Sequence, residues 1–428
     1  MKYTRTLLAL SLPFTYTLIA GNAHAAGFQL AEYSATGLGR AYAGEAAIAD
    51  NASAQWRNPA LLTQLTGTQV SFGAIYVDPN ISVDGEVTTK LLGQTHRAQA
   101  KDFADSAIIP NFYLSHQLND LWFVGFAAGT NYGMEADLGS DFAASHFGDR
   151  ASITTMELNA NIAYQLNSKF SFGAGLRYIL AEGHFGATAP DHSLIGGTTL
   201  KYMEGDTTDW GWQAGATWQI SQTHRIGMAY KSEVDLTLEG HAEGIGFLAP
   251  AGSKKKGTMD LPLPATFELA SFHQLSEHWA MHASVNWTNW SAFDKLEANL
   301  DDRDTPSMVK VENWRDNYRF ALGTTYQASS KVTLRSGVAY DTSAVSDKNR
   351  TITIPETDRL WLSLGGSYQW SKQWTLDGGI TYIKAKDADV TESRGYPSDD
   401  LAEWFGGSFT GQITGHVWLA GIQANYRF

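Results

Sequence analysis

The reactive side chains of this sequence are few and form no recognisable catalytic motif. The chain has no cysteine, which removes thiolate metal sites, cysteine nucleophiles and disulfides together. No Gly-x-Ser-x-Gly segment, phosphate-binding loop or paired-acid arrangement stands out, although scattered Ser and His permit a lipase in principle. His278 and His282 share a strand face, but they lie roughly 13 Å apart along an extended backbone, too far to bind one metal ion. The sequence therefore predicts neither a metal site nor a cofactor.

Charged side chains are instead placed to line a polar interior. Five arginines fall on the inward parity of predicted strands or their extensions: Arg177, Arg315, Arg319, Arg335 and Arg359. We expect most of them to pair with acids such as Glu157 and Glu268, because isolated charges inside a membrane protein are costly. The charged runs 254–256 and 301–304 fall in predicted loops, where solvated charge, divalent-bridged contact and direct contact with lipopolysaccharide are the alternatives.

Apolar side chains in two predicted external loops are candidates for ligand contact. The loop after the fifth strand contains Leu194, Ile195, Leu200 and Met203, and the loop after the seventh contains Ile245, Phe247, Leu248 and Met259. Exposed apolar residues in long loops usually mark contact surfaces. We expect the two loops to form a shallow hydrophobic groove that captures a hydrophobic small molecule.

Composition and the N-terminus indicate export. Only 18% of the 428 residues are charged and 12% are aromatic, and the net charge of −13 argues against a nucleic-acid partner. Lys2 and Arg5 precede an apolar run at 7–20, and Ala23-His24-Ala25 follows that run. This pattern predicts a signal peptide at 1–25. No later segment offers eighteen consecutive apolar residues, so a helical membrane protein is excluded.

Alternating residues predict an all-β transmembrane barrel. From Trp418 to Phe428 the even positions are apolar and the odd positions are mostly Gly or polar, as expected for a strand with lipid on one face and water on the other. About fourteen such segments occur, at 68–77, 108–117, 121–133, 156–165, 170–180, 210–219, 224–239, 263–273, 279–288, 318–327, 332–340, 359–369, 374–383 and 415–428. Short turns alternate with long loops between them, as in outer-membrane barrels. The barrel is assigned to 68–428, and residues 26–67 are expected to form a plug in its lumen.

The plug region carries a family resemblance. Its blocks Ala26 to Leu30, Ser34 to Asp50 and Trp56 to Leu62 resemble the FadL family of outer-membrane long-chain fatty acid transporters. Further similarity lies in the segments 76–79, 131–133, 318–326, 349–350, 352–355 and 358–363. The resemblance implies a fourteen-stranded antiparallel barrel closed by an N-terminal hatch. It also implies passive, ligand-gated transport, with sideways release of the ligand through an opening in the wall.

The same resemblance assigns roles to individual residues. Ala26, Gly27, Phe28, Asn58, Pro59 and Ala60 are implied as hatch or gate residues, and Asn131, Tyr132 and Gly133 as an inward kink of the third strand. In Trp314-Arg315-Asp316 the arginine matches a basic position near the family's internal ligand site, where relatives carry Lys. A guanidinium fork there suits a carboxylate.

Several alternatives remain open. Relatives of similar architecture take up aromatic or alkane hydrocarbons instead of fatty acids, and a general porin, an outer-membrane lipase or an adhesin would belong to other classes. The terminal strand ends in Tyr426-Arg427-Phe428, which resembles the signal read by the outer-membrane barrel assembly machinery and predicts insertion into the Gram-negative outer membrane, amid outer-membrane lipid and lipopolysaccharide. A closed barrel needs no partner to satisfy its edges, so a monomer is expected.

Overall fold

The computed structural model describes residues 27–90, 93–249 and 252–428. The predicted signal peptide and Ala26 lie outside the described residues. Twenty-one strands form one antiparallel sheet. They are β1 (Thr68–Thr88), β2 (Thr95–Ala100), β3 (Ala107–Gln117), β4 (Trp122–Gly129), β5 (Gly133–Asp137), β6 (Arg150–Gln165), β7 (Phe170–Thr188), β8 (Thr199–Ser221), β9 (His224–Lys231), β10 (Val234–Glu243), β11 (Lys255–Leu263), β12 (Thr266–Gln274), β13 (Trp279–Thr288), β14 (Lys295–Leu300), β15 (Ser307–Val311), β16 (Asn317–Gln327), β17 (Val332–Asp341), β18 (Arg359–Gln369), β19 (Trp374–Ala385), β20 (Ala388–Glu392) and β21 (Ser408–Arg427).

The sheet closes into a fourteen-stranded barrel, as the sequence predicts. β1 pairs with β3 on one side and with β21 on the other, so that Ile75 lies opposite both Ile109 and Gly421. The strand count exceeds fourteen because three barrel strands are interrupted, into β4/β5, β9/β10 and β11/β12, while β2, β14, β15 and β20 add to the sheet at its external end. The short turns at 118–121, 166–169 and 370–373 also lie where they were expected.

Several strands extend further at their outer ends than the sequence predicts. The first strand continues to residue 88 instead of 77, and the sixth begins at 199 instead of 210. Alternation of lipid-facing and inward residues marks only the part of a strand that crosses the membrane. Beyond that band both faces meet water or protein, so the ladder continues after the pattern has disappeared.

Short helical segments complete the fold. They are α1 (Ala35–Leu38), α2 (Ala54–Arg57) and α3 (Pro397–Gly406), with 3-10 turns at Pro59–Gln64, Ser145–Phe147, Ile245–Phe247 and Trp290–Ala292. In the portion of the chain that the structure describes, no helix is long and apolar enough to cross a membrane.

The segment 27–67, here called the N-terminal segment, is almost entirely buried against the inner face of the sheet. Close approach explains several wall glycines. A Cβ on Gly227 would lie 1.8 Å from the Ala46 oxygen, and a Cβ on Gly337 would lie 2.1 Å from the Arg40 oxygen. Only glycine lets the wall backbone and the N-terminal segment come this close.

Candidate transport site

The third barrel strand is interrupted between β4 and β5 by one extra residue. Gly129 pairs with Glu157, and Gly133 pairs with Thr154. The strand therefore advances four residues while β6 advances three, which is the count of a β-bulge. The interruption falls on Asn131, Tyr132 and the start of β5, at the position where the kink was expected.

The bulge accompanies a change in wall pairing. β3 pairs with β1 along 107–116, but it pairs with β4 only from Phe112 opposite Ala128 downward, so 107–111 has no partner strand on the β4 side. Among the described residues no ladder joins 107–111 to β5, so we call this stretch the wall gap. Ile108 lies beside it on the outer surface, with 59% of its area exposed. A hydrogen bond from Asp137 N to Phe103 O, 2.8 Å long, bounds the gap at its external end.

The N-terminal segment supplies hydrogen bonds to the interrupted strand. Gln29 and Tyr132 form an antiparallel bridge. Leu30 N donates to Asn131 O at 2.7 Å, and Gly133 N donates to Phe28 O at 2.8 Å. Backbone groups that the bulge takes out of the ladder are thereby satisfied, as buried peptide groups require.

Phe28 anchors this contact in a cage of aromatic side chains. Its ring is 2% exposed and lies 4.6 Å from Trp290, 5.7 Å from Phe293, 6.1 Å from Tyr132 and 6.1 Å from Trp314. Edge and tilted contacts of this kind stabilise beyond simple burial. The cage belongs to one large apolar cluster whose members come mainly from the external half of the barrel and its loops.

The Asn58-Pro59-Ala60 segment contacts a different part of the wall, at β8. Pro59 begins the 3-10 turn 59–64, and the Asn58 side chain caps it by accepting a hydrogen bond from Ala60 N. Asn58 Nδ2 donates to Ala46 O at 2.7 Å and to Ala216 O at 3.2 Å. The Asn58 carboxamide therefore bonds β8 and the N-terminal segment in this arrangement.

Four of the five predicted arginines are buried and paired. Arg177 binds Glu157 at 2.8 Å, Arg319 binds Asp341 at 2.7 Å, and Arg359 binds Glu356 at 2.9 Å. Arg335 lies 3.7 Å from Asp50 of the N-terminal segment. Glu268 instead pairs with Arg57 at 3.4 Å.

Arg315 contradicts its predicted inward orientation. It is exposed, and its Nε donates to the carbonyl of Ser343 at 3.2 Å. Residues 312–316 lie between β15 and β16 and have left strand geometry. Parity counted back from Arg319 therefore fails at Arg315, and the neighbouring Trp314 faces the cage instead.

Two lysines that parity did not single out, the buried Lys310 and the half-buried Lys201, lie in the external part of the barrel. Lys310 Nζ donates to Phe147 O at 3.0 Å and to Glu392 Oε1 at 3.2 Å. Lys201 Nζ donates to the carbonyls of Met308 and Val309, directly before Lys310. Their signal in the sequence is weak, because each occurs as a lone cation in a short apolar stretch.

Glu312 connects this charged group to the cage. Its Oε2 accepts a hydrogen bond from Trp314 Nε1 at 3.0 Å. Burial raises the pKa of Glu312 to about 7, and the cations Lys310 and Arg394 offset part of that rise. The carboxyl is therefore close to half protonated at neutral pH.

The predicted external groove is only partly exposed. Leu194 is 97% exposed and Leu248 is 73% exposed. Leu200, Met203 and Phe247 are buried in the apolar cluster, and Ile195 packs partly against it. Leu200 and Met203 belong to β8, which begins at 199, so their expected exposure in a loop is wrong. The two charged runs pair with each other through Lys255 and Asp302, 2.7 Å apart. Among the residues described, no group of three or more His, Asp or Glu is arranged to hold a metal ion.

Comparison with known proteins identifies relatives of this chain. Residues 16–428 match the family described as outer membrane protein transport protein (OMPP1/FadL/TodX). The chain is 36% identical to the 47 kDa outer membrane protein of Pasteurella multocida, covering 100% of this chain and 99% of that protein. It is 32% identical to the long-chain fatty acid transport protein of Escherichia coli K12, with the same coverage.

Solved structures agree on the fold. A FadL homologue of Pseudomonas aeruginosa superimposes with a TM-score of 0.83 at 22% identity, over 94% of this chain and 100% of that one. The toluene transporter TodX of Pseudomonas putida gives a TM-score of 0.67 at 18% identity, over 93% and 99%. From the family match and the relatives that span its whole length, the chain belongs to the OMPP1/FadL/TodX family of outer membrane transport proteins, which are not enzymes.

Proposed function

We propose that this protein carries out passive, ligand-gated uptake of long-chain fatty acids or similar hydrophobic compounds and releases them sideways through the wall gap. The observation that carries the proposal is the docking of Phe28, Gln29 and Leu30 onto the interrupted third strand. In this view the N-terminal segment is a hatch. The names of the relatives, which include long-chain fatty acid transport proteins and a toluene transporter, support the substrate class.

Entry of the ligand is driven by burial of its apolar chain. Each methylene gains roughly 0.8 kcal/mol on leaving water, so an apolar external lumen favours an acyl chain over small polar solutes. Leu194 and Leu248 are the exposed apolar side chains of the two loops where first contact was expected. A ligand that reaches the aromatic cage competes with Phe28 for the same apolar surface.

Release follows from that competition. When Phe28 leaves the cage, its carbonyl leaves Gly133 N, and Leu30 N leaves Asn131 O. The wall gap beside 107–111 then joins the cage to the surrounding lipid. A tail that passes sideways never returns to water, which makes this route cheaper than one through the periplasmic end.

The head group is assigned to Lys310, with Lys201 nearby, in place of the exposed Arg315. A carboxylate would exchange with Glu392 for the Lys310 ammonium in a charge-assisted hydrogen bond. A neutral hydrocarbon gains nothing from this exchange. Lys310 and Lys201 therefore favour a fatty acid over toluene as the substrate.

Uptake of labelled oleate tests the proposal. The purified protein is reconstituted into vesicles, and transfer of oleate is measured with and without excess toluene. We expect saturable oleate transfer that Lys310→Met weakens more than Lys255→Met, because Lys255 lies at the external start of β11 and pairs with Asp302. Ion conductance without oleate transfer would identify a porin instead, and release of free fatty acid from phospholipid vesicles would identify a lipase.

A further inference from the structure

A buried cluster of charges lies directly behind the interrupted strand. Glu157 accepts two hydrogen bonds from Arg177, Nε to Oε1 at 2.9 Å and Nη2 to Oε2 at 2.8 Å. Lys231, the last residue of β9, places its Nζ 3.8 Å from Glu157 Oε1. All three side chains are buried. Two basic side chains therefore share one carboxylate, and Lys231 keeps hydrogen-bonding capacity for other partners.

The Lys231 side chain is directed at the hatch and the kink. Lys231 Nζ lies 4.5 Å from the ring centroid of Trp56 and donates to Asn131 Oδ1 at 3.3 Å. Trp56 Nε1 donates to the same Asn131 oxygen at 3.1 Å, and Asn131 Nδ2 donates to Glu157 Oε2 at 2.6 Å. One ammonium thus contacts the face of a hatch tryptophan and the side chain of the kink at the same time.

Stability alone is a weak reason to keep such a cluster. A buried ion pair is often matched or exceeded in stability by apolar side chains of similar volume, and an additional cation makes burial more costly. The cation–π contact and the shared hydrogen bond offset that cost only while Trp56 stays over Lys231. Movement of the hatch away from the wall would remove both.

We propose that Lys231 is the positioning residue that holds the hatch against the kink in the resting state. This inference rests on the proposed lateral release. Lys231 does not touch the cage around Phe28 in this arrangement; it acts through Trp56 and Asn131. It couples the α2 region of the hatch to the bulge, so that a shift of one loosens the other.

The test measures the hatch contact itself, without substrate. Because the chain has no cysteine, Gln29→Cys with Tyr132→Cys gives a single disulfide between bridge partners, which lie close enough for one. The rate of oxidative cross-linking reports how often the two residues meet. In parallel, entry of the fluorescent hydrophobic probe N-phenyl-1-naphthylamine into intact cells reports opening in the absence of fatty acid.

Lys231→Met should speed probe entry by about tenfold, the effect expected for a lost cation–π contact and hydrogen bond, and should slow cross-linking. Lys231→Arg should restore both, because a guanidinium also binds over an aromatic ring. Arg225→Met is the matched control. Arg225 lies on the same strand and donates hydrogen bonds to Ala47 O and Gln64 Oε1 of the hatch. It lies near the opposite end of β9 from Lys231.

Folding is checked by the heat-dependent gel mobility of the intact barrel. If Lys231→Met does not fold, Trp56→Leu removes the same contact from the hatch side and should change probe entry and cross-linking in the same directions. Wild-type rates in a folded variant, or equal changes in Arg225→Met, would overturn the inference. Failure of the proposed lateral release would give a different result. The closed disulfide would then leave oleate uptake intact, whatever effect Lys231 has on cross-linking.

Discussion

Replacement of Phe28 by alanine should change which chain lengths the transporter accepts. The Phe28 side chain is buried among four aromatic rings, so its removal costs the docked hatch about 3–5 kcal/mol, as for other buried Phe→Ala changes. A ligand in the wild-type protein has to offset this amount before the hatch leaves the cage. At roughly 0.8 kcal/mol per methylene, the offset corresponds to about four to six buried methylenes.

The variant should therefore transport acids about four to six carbons shorter than those the wild type requires. The assay is uptake of a series of labelled saturated acids from hexanoate to stearate, with oleate as reference. Phe142→Ala is the control, since Phe142 is buried in the same apolar cluster but packs on Phe409, far along the chain from the hatch. An unchanged chain-length threshold in folded Phe28→Ala would refute competition between ligand and Phe28.

Three further predictions concern the gap, the hatch and the charged group. Deleting Gly133 removes the extra residue between the pairs Gly129–Glu157 and Gly133–Thr154, so the third strand should become continuous. Oleate uptake should then be lost while surface expression is kept, and normal uptake would argue against lateral release. The oxidised disulfide between residues 29 and 132 should block uptake, and a reductant should restore it, as measured with labelled oleate in the same cells. The pKa of Glu312 is raised in the folded protein from 4.5 to about 7, so the folded state binds the proton more tightly than the unfolded state. The free energy of unfolding should therefore fall as the pH rises through this range, by at most about 3 kcal/mol at 1.36 kcal/mol per pH unit. Urea unfolding at pH 5 and pH 8 should show this loss in the wild type and not in Glu312→Gln.

The membrane-crossing part of the fold could be predicted because lipid imposes a simple rule on it. Segments such as 279–288 and 359–369 match the observed strands residue for residue. The same rule is silent outside the lipid. The outer ends of β1 and β8 were missed because they carry no lipid-facing alternation, although each adds about ten residues to its strand.

The site could be predicted only where a local signal exists. The break at Gly129 to Gly133 is visible as a loss of alternation, and the structure places the bulge there. Arg315 was misplaced because parity holds only within a strand, and residues 312–316 are irregular. Phe247 was expected to be exposed because a loop sequence does not reveal that it folds back over an apolar lumen. The contact of Trp56 with Asn131 joins positions 75 residues apart, and neither residue type indicates the other.

A gap in the wall of a membrane barrel poses a problem that the hatch solves. Lipid offers no hydrogen bonds, so an open sheet edge does not persist in the hydrocarbon region. The N-terminal segment satisfies Asn131 O and Gly133 N from inside and closes the space behind them with Phe28. In the proposed mechanism, displacement of Phe28 removes the filling and the hydrogen bonds together, so the gap would open only while a ligand compensates for the lost apolar contact. Selectivity for hydrophobic compounds then follows from the gate itself, because a polar solute cannot replace Phe28 in an aromatic cage.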